Sequence, residues 1–324
     1  MGLKELERTL CATSPSGARH ALLLLGNGMH LQAAREVGLK NLDPWLAVTC
    51  RLAGQLGIRD VRGLPSQEPA RWDALVRHAS AALNLSSSKA DEKLKTWLVQ
   101  KLIKVERQRS SLPLFGRLLD LHFENILSFN IDRTLALHSD CKRVVPEHWE
   151  RWEPNLHVYD DISARNGIVT RIWYPYGDTC NRLAIVAGTE QHAHRLMDLE
   201  DERSLMMHEW LDSARWFGSG ARLAAPRQFY ERCRKNVRQN WYWLFFVAPL
   251  IIVGARLPLE DWPVWWLLHQ RARNLTVFPS NKIPPTFFLT AKGESRPHLS
   301  GRPSEIEVVE FPSHDALWKF VLRK

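Results

Sequence analysis

Along most of the chain, short unbroken apolar runs take turns with longer stretches in which apolar residues return every third or fourth position. The first pattern belongs to strands buried on both faces, the second to helices with one buried side. "HALLLLGNGMHLQAAREVGL" predicts a buried strand at 21–25, a glycine turn at 26–28 and a helix beyond. Residues 42–120 carry no strand-like run. Helical periodicity in "DPWLAVTCRLAGQLG", "ARWDALVRHASAALNL" and "ADEKLKTWLVQKLIKVE" predicts a helical insertion there, with "SSSK" at 86–89 as a loop. A strand at 125–129, a β-rich run at 167–178 and a short strand in "RLAIVAG" (182–188) come next. Residues 190–240 read as helical and charged. "WYWLFFVAPLIIVGA" (241–255) reads as a helix end leading into a buried strand, because it is too short for a membrane span and contains Pro249. "DWPVWWLLHQRARN" is a helix, "LTVFPSN" a strand and turn, "PTFFLT" and "EIEVVEF" strands, and "SHDALWKFVLR" a closing helix. No internal repeat is visible.

Strands alternating with helices imply an α/β fold with a parallel sheet covered on both faces. Such sheets bind ligands at the carboxyl ends of their strands. Four glycine or polar corners fall at such ends: 26–28, 130–132, 176–178 and 254–256. In "LLLLGNGMH", Gly26 and Gly28 would let backbone approach a pyrophosphate at a helix N-terminus, although position 31 is Leu where a third glycine would complete G-x-G-x-x-G. In "NILSFNIDRTLAL", Asn130 and Asp132 serve either as helix caps or as ligand contacts. "WYPYGDT" supplies Tyr176, Gly177 and Asp178, read as a β-turn or as a site wall. "IIVGARLPLEDW" supplies Gly254, with Glu260 and Asp261 near the next helix start. "VFPSN" places Ser280 and Asn281 after a strand, where short polar side chains could meet an adenosine ribose.

Composition narrows the class. The 324 residues suffice for one large domain or two modest ones, and 45% apolar with 24% charged is a globular balance. Lys and Arg exceed Asp and Glu by 44 − 35 = 9, which favours solubility or attraction to polyanions and phosphate-bearing ligands. The five cysteines (Cys11, Cys50, Cys141, Cys180, Cys233) form no C-x-x-C pair, which argues against a cysteine zinc ribbon and against a disulfide framework. The charged N-terminus lacks a signal-peptide layout, and a reducing cytoplasmic setting is expected.

Taken in order, a strand with a Gly-x-Gly corner, "FNID", aromatic-x-x-Gly-Asp and "IIVGARL" resemble the SIR2 family, and most closely its SIR2-like NAD hydrolases of bacterial antiphage defence. The resemblance spans about residues 20 to 320 in motif order and rests on some twenty positions, "NID" after a strand being the most specific. It implies a Rossmann-like parallel sheet of SIR2 type, one domain over 1–324, with 42–120 and 190–240 as helical insertions forming a smaller helical part. It implies NAD as substrate, cleaved to nicotinamide and ADP-ribose, and no zinc or other metal. Gly26, Asn27 and Gly28 would lie on the pyrophosphate. Asn130 would face the nicotinamide ribose and the attacking water, and Asp132 the carboxamide. Tyr176 and Gly177 would wall the ribose site, and Gly254, Ala255, Arg256 and Asn281 would flank the adenosine half.

Two departures qualify the resemblance. Sirtuin deacylases carry a four-cysteine zinc module that this chain cannot build, which favours NAD cleavage over deacylation. The family also has His-Gly where this chain has Tyr176-Gly177, and a tyrosine of pKa ~10 is a poor base near neutrality. The resemblance further implies regulation. A sensor outside these 324 residues, of Argonaute, ATPase or nucleotide-sensing type, is expected to switch on NAD depletion, within a homo- or hetero-oligomer and away from membranes. Two alternatives stand beside it. One is a SIR2-like module that binds NAD or ADP-ribose without turnover. The other is a basic nucleic-acid-binding protein with steeply salt-dependent affinity. Trp262, Trp265 and Trp266 mark either an assembly face or core.

Overall fold

The computed structural model describes residues 2–14, 17–39, 44–58, 63–65, 68–145, 158–164, 167–216, 240–257, 261–277, 284–293 and 306–323. The order of elements is α1 (Gly2–Cys11), β1 (Arg19–Leu25), α2 (Gly28–Glu36), α3 (Pro44–Gln55), α4 (Glu68–Leu83), α5 (Ser87–Arg109), α6 (Pro113–Leu119), β2 (Phe123–Ser128), β3 (Cys141–Val144), β4 (Tyr159–Ser163) and β5 (Val169–Trp173). It continues with α7 (Thr189–Trp216), α8 (Trp241–Val247), β6 (Leu250–Val253), α9 (Trp262–Val277), β7 (Thr286–Ala291), β8 (Ile306–Phe311) and α10 (His314–Val321).

Eight strands form one sheet in the order β3-β4-β5-β2-β1-β6-β7-β8. From β5 to β8 every neighbouring pair is parallel. Counted in chain order, those six strands lie 3-2-1-4-5-6, the order of Rossmann-like sheets, with the topological switch between β1 and β6. β4 runs antiparallel to β5, and β3 antiparallel to β4, so the sheet is mixed at this end.

The continuous apolar character of β1 comes from burial on both sides. Leu22 and Leu24 enter one hydrophobic cluster, Ala21, Leu23 and Leu25 the other, and all are at most 1% exposed. Successive strand residues point to opposite faces, so a run with two buried faces cannot alternate with polar residues. One face is covered by α3, α4, α5, α8 and α9 (Leu52, Leu75, Leu98, Phe245, Leu268), the other by α1, α2, α6 and α10 (Leu6, Met29, Phe115, Trp318). The helical insertion therefore shares the core of the sheet.

Several elements differ from the sequence pattern. "RLAIVAG" is no strand: Arg182–Ala184 is a short 3-10 turn, and Val186 donates its N–H to the Tyr176 carbonyl at 3.0 Å, folding this apolar stretch over the end of β5. The "LTV" of "LTVFPSN" completes α9, and residues 278–283 lie outside the described residues. Three apolar residues cannot distinguish a helix end from a strand. Ser86 is the N-cap of α5, accepting from Lys89 N–H, so most of "SSSK" is helix. β3 and β4 are unannounced in the pattern because "CKRV" and "YDDIS" are polar antiparallel strands at one end of the sheet. Trp265 is 9% exposed within the core and Trp266 packs against it, which makes this part of α9 core rather than an open face. Among the described residues no helix is long and apolar enough to cross a membrane.

Candidate functional site

Because β5, β2, β1 and β6 are parallel neighbours, the four corners at 176–178, 130–132, 26–28 and 254–256 stand side by side along one edge of the sheet. Asn281 lies outside the described residues, as do Ser280 and Glu260.

The glycine corners form a seam. Gly26 N–H donates to the Val253 carbonyl at 3.1 Å and Gly28 N–H to the Gly254 carbonyl at 2.7 Å. A Cβ on Gly26 would stand 2.5 Å from Ala255 Cα, and one on Gly28 2.6 Å from Gly254 Cα. Gly254 itself has φ +66°, which glycine adopts freely. These residues let the loops after β1 and β6 close on one another at the switch point, and two N–H groups expected to meet a pyrophosphate are engaged within the protein. Ala255 is buried beside the seam and Arg256 is exposed. Gly28→Ala forces backbone against backbone, so we expect a loss of about 1–3 kcal/mol or more, read by urea denaturation; stability equal to wild type would show that the seam yields.

Three polar side-chain atoms along this edge are buried without partners, on half-buried Asn27 and Asn130 and on buried Tyr176. Asn27 occupies the N-cap position of α2 in a helical conformation but makes no capping bond, and its Oδ1 meets no donor. Asn130 likewise leaves Nδ2 without an acceptor, and the Tyr176 hydroxyl is unpartnered. Unpartnered buried atoms also occur elsewhere, at Trp241, Tyr242 and Trp243 among others, but these three share the ends of the neighbouring strands β1, β2 and β5. Tyr176 sits between two rings, Phe129 at 5.4 Å and His192 at 5.4 Å. Burial, reinforced by the charge of Asp261, pushes its hydroxyl well above the ordinary tyrosine range, so it is a hydrogen-bonding group and not a base. Gly177, at φ +81°, turns the chain under the Ala184 carbonyl.

Asp132 and Asp178 are engaged inside the protein. Asp132 Oδ2 lies 3.0 Å from His30 Nε2, both side chains at most 4% exposed, and its Oδ1 accepts from Thr134 N–H at 3.1 Å. Burial alone would raise the Asp132 carboxyl; His30 and Thr134 outweigh it and bring it down to about 2. This pair pins the loop after β2 to α2. Asp178 accepts from Arg143 at 2.5 Å and from Cys180 N–H at 2.8 Å. Beside it, fully buried Asp160 accepts from Arg133 Nε at 2.8 Å, Arg133 Nη2 at 2.7 Å and the Tyr174 hydroxyl at 2.9 Å. Glu106 on α5 takes Arg133 N–H at 2.7 Å and the Thr179 hydroxyl at 2.6 Å. The network fastens the "NIDR" and "GDT" corners to β4 and α5.

Sequence reasoning missed the roles of His30, Asp160, Arg133 and Glu106. It also missed His192 and Arg195, which α7 turns toward Tyr176. His192 gives Nδ1 to the Gly188 carbonyl at 2.9 Å, and burial lowers its pKa. The available signal was spacing, since His192, Arg195 and Leu199 fall on one helical stripe. Among the described residues no three His, Cys, Asp or Glu side chains stand together as a metal site.

Compared with known proteins, the chain matches no family model and no curated protein. The geometry of the site itself therefore carries the functional reading.

Proposed function

We propose that the chain is an NAD hydrolase of SIR2-like type, cleaving NAD to nicotinamide and ADP-ribose at the corners after β5, β2, β1 and β6. The observation that supports this reading most is the set of three buried, unpartnered atoms: Asn27 Oδ1, Asn130 Nδ2 and Tyr176 Oη. They converge on the carboxyl edge of a 3-2-1-4-5-6 sheet, where dinucleotides bind. In this reading the start of α2 and Asn27 face the phosphates, helix N-termini being favourable to anions. Gly26, Gly28, Gly254 and Ala255 shape the floor, and Arg256 stands at the adenosine side. Asp132 holds the Asn130 loop through His30 instead of contacting the carboxamide.

The chemistry needs little from the side chains. The pyridinium nitrogen of NAD is already positive, so the C1′–N bond breaks with its electron pair passing to the ring, and neutral nicotinamide leaves. The ribose passes through an oxocarbenium-like state, as in glycoside hydrolysis. Water adds at C1′ and releases its proton to solvent, so no strong base is required. Asn130 orients that water, and the Tyr176 hydroxyl holds a ribose hydroxyl. Tyr176→Phe is expected to lower kcat by roughly ten- to a hundredfold, about 1–3 kcal/mol of transition-state stabilisation. The rate should show no limb near pKa ~6.5 attributable to residue 176. Unchanged kinetics and NAD affinity would make Tyr176 core packing.

The resemblance also supports a role in antiphage defence, with a separate sensor releasing the activity. NAD consumption by the chain alone, and mixed with the product of the adjacent gene, tests this. Weak activity alone and strong activity together is the expected outcome, and full activity from the isolated chain counts against a sensor. A second reading, a module that binds NAD or ADP-ribose without turnover, is favoured by one observation: the hydroxyl of Tyr176 is held protonated where a base would stand. Tight ADP-ribose binding with no NAD consumed under either condition would select it.

A further inference from the structure

Helix α7 turns polar side chains inward where its period calls for apolar ones. His192, Arg195 and Leu199, at i, i+3 and i+7, are 6%, 4% and 1% exposed. Arg195 Nη1 lies 3.7 Å from Asp198 Oδ2, beyond hydrogen-bond reach, and Asp198 is itself 37% exposed. Neither Nε nor Nη1 of Arg195 has an acceptor. Arg271 on α9 shows how this fold treats a buried guanidinium otherwise. Its Nε donates to Thr286 Oγ1 and its Nη2 to the Ala248 carbonyl, both at 2.9 Å, and its Nη1 to the Phe245 carbonyl. Arg195 has no such shell, and a buried cation left unsatisfied is costly unless something else completes it.

Tyr176 is the neighbouring orphan. Its hydroxyl is buried without a partner, and its ring packs on His192 one turn before Arg195 on the same buried stripe of α7. The other charges facing this place are Asp261 at the start of α9, which acts on Tyr176, and Asp73 on α4, which acts on His192. Burial works against the charge of Arg195, with Asp198 and Tyr176 opposing that effect. Three donors beneath this stripe of α7 therefore have no acceptor: Nε, Nη1 and Oη.

We propose that Arg195 and Tyr176 form an anion subsite beneath α7, built to receive a phosphate group of the ligand. Each phosphate of a dinucleotide offers two non-bridging oxygens and a free phosphate three, and each such oxygen can accept more than one hydrogen bond, which suffices for three donors. The subsite deepens the hydrolase reading and rests on it for placing Tyr176 in the ligand site. The phosphate belongs either to the dinucleotide, whose nicotinamide ribose carries one at its 5′ oxygen, or to a separate ligand.

Thermal unfolding and calorimetric titration of the full chain test this, with pyrophosphate, inorganic phosphate and ADP-ribose as probes and adenosine as the phosphate-free control. Wild type should be stabilised by pyrophosphate and ADP-ribose and not by adenosine. Arg195→Met should bind ADP-ribose at least tenfold more weakly, yet unfold at the same or a higher temperature without ligand, because it removes an unsatisfied charge. Arg195→Lys should retain part of the affinity. Competition between phosphate and ADP-ribose assigns the subsite to the dinucleotide's own phosphate, additive stabilisation to a separate ligand; both uphold it. Unchanged anion affinity in Arg195→Met overturns the proposal, as does a wild type indifferent to every anion. A ligand-free Arg195→Met that unfolds well below wild type also overturns it, by making the guanidinium a structural cation. Anion binding lost in Arg195→Met while no form cleaves NAD, even with the product of the adjacent gene present, would leave the subsite standing and remove the hydrolase reading. NAD cleavage with unaltered anion affinity would do the reverse.

Discussion

Asn130→Ala is expected to abolish NAD cleavage and leave the fold nearly untouched. The amide stands just past the end of β2, next to Phe129, whose ring packs on Tyr176. Its Nδ2 is buried without an acceptor, so the fold draws little stability from it. Removing an unsatisfied donor costs less than ~1 kcal/mol of stability, the size expected for a lost cap at most. Removing a group that positions water and holds charge in the transition state costs far more, about 10²–10³ in kcat, or roughly 3–4 kcal/mol. Urea denaturation and a turnover assay on the same preparation separate the two. Wild-type turnover in the variant would sink the site assignment, and a large loss of stability would make Asn130 a structural residue.

Asp160→Ala should give the opposite profile. Asp160 is fully buried and receives Arg133, Arg143 and the Tyr174 hydroxyl, with Arg143 Nη1 at 3.5 Å. Deleting it strands the Arg133 guanidinium in the interior and leaves Arg143 with Asp178 alone, and breaking a buried pair of this kind costs about 3–5 kcal/mol. The exposed pair Arg182–Glu92, at 2.8 Å, should contribute at most ~1 kcal/mol by the same measurement. Activity should fall in Asp160→Ala as well, because Arg133 comes directly after Asp132 in the loop that carries Asn130, and Arg143 holds Asp178 beside Gly177. An Asp160→Ala protein within ~1 kcal/mol of wild type would show that water reaches the network.

Acid stability reads the same scaffold. Asp132 has a folded pKa of about 2 against an ordinary 3.8. A depressed carboxyl stabilises the fold above its unfolded value and loses that contribution as pH falls through the folded one. The window therefore runs from about pH 4 down to pH 2, and ~2 kcal/mol is at stake. Glu106 acts with the other sign. Burial raises its carboxyl above 4.5, so it favours the fold at low pH and opposes it as pH climbs past that value. Asp132→Asn should flatten the limb between pH 4 and pH 2, measured as unfolding free energy against pH, and an unaltered limb would show that other carboxylates govern it.

The physics of each residue decides how much of it the sequence discloses. β1, β6 and β7 were legible because burial on both faces leaves apolar runs, and β2 through its apolar pair Ile126-Leu127. The four corners were legible because each sets a glycine or a small polar residue just past the end of β1, β2, β5 or β6. β3 and β4 were hidden, since polar strands at the end of a sheet lack that signature. The distinction between Asn130 and Asp132 was hidden too. Both stand in "FNID", and only the long-range partner His30, 102 positions away by 132 − 30, shows that one is spoken for and the other is not. Arg195 reads as an ordinary charge in a charged helix until its side of α7 is seen to face the core.

The most direct test of the central claim is the product balance from NAD, monitored by chromatography, with the chain and the product of its adjacent gene present together. The account predicts nicotinamide and ADP-ribose in equal amounts from wild type, strong reduction in Tyr176→Phe and none from Asn130→Ala. NAD left intact by wild type, with no ADP-ribose bound in a parallel titration, would contradict it.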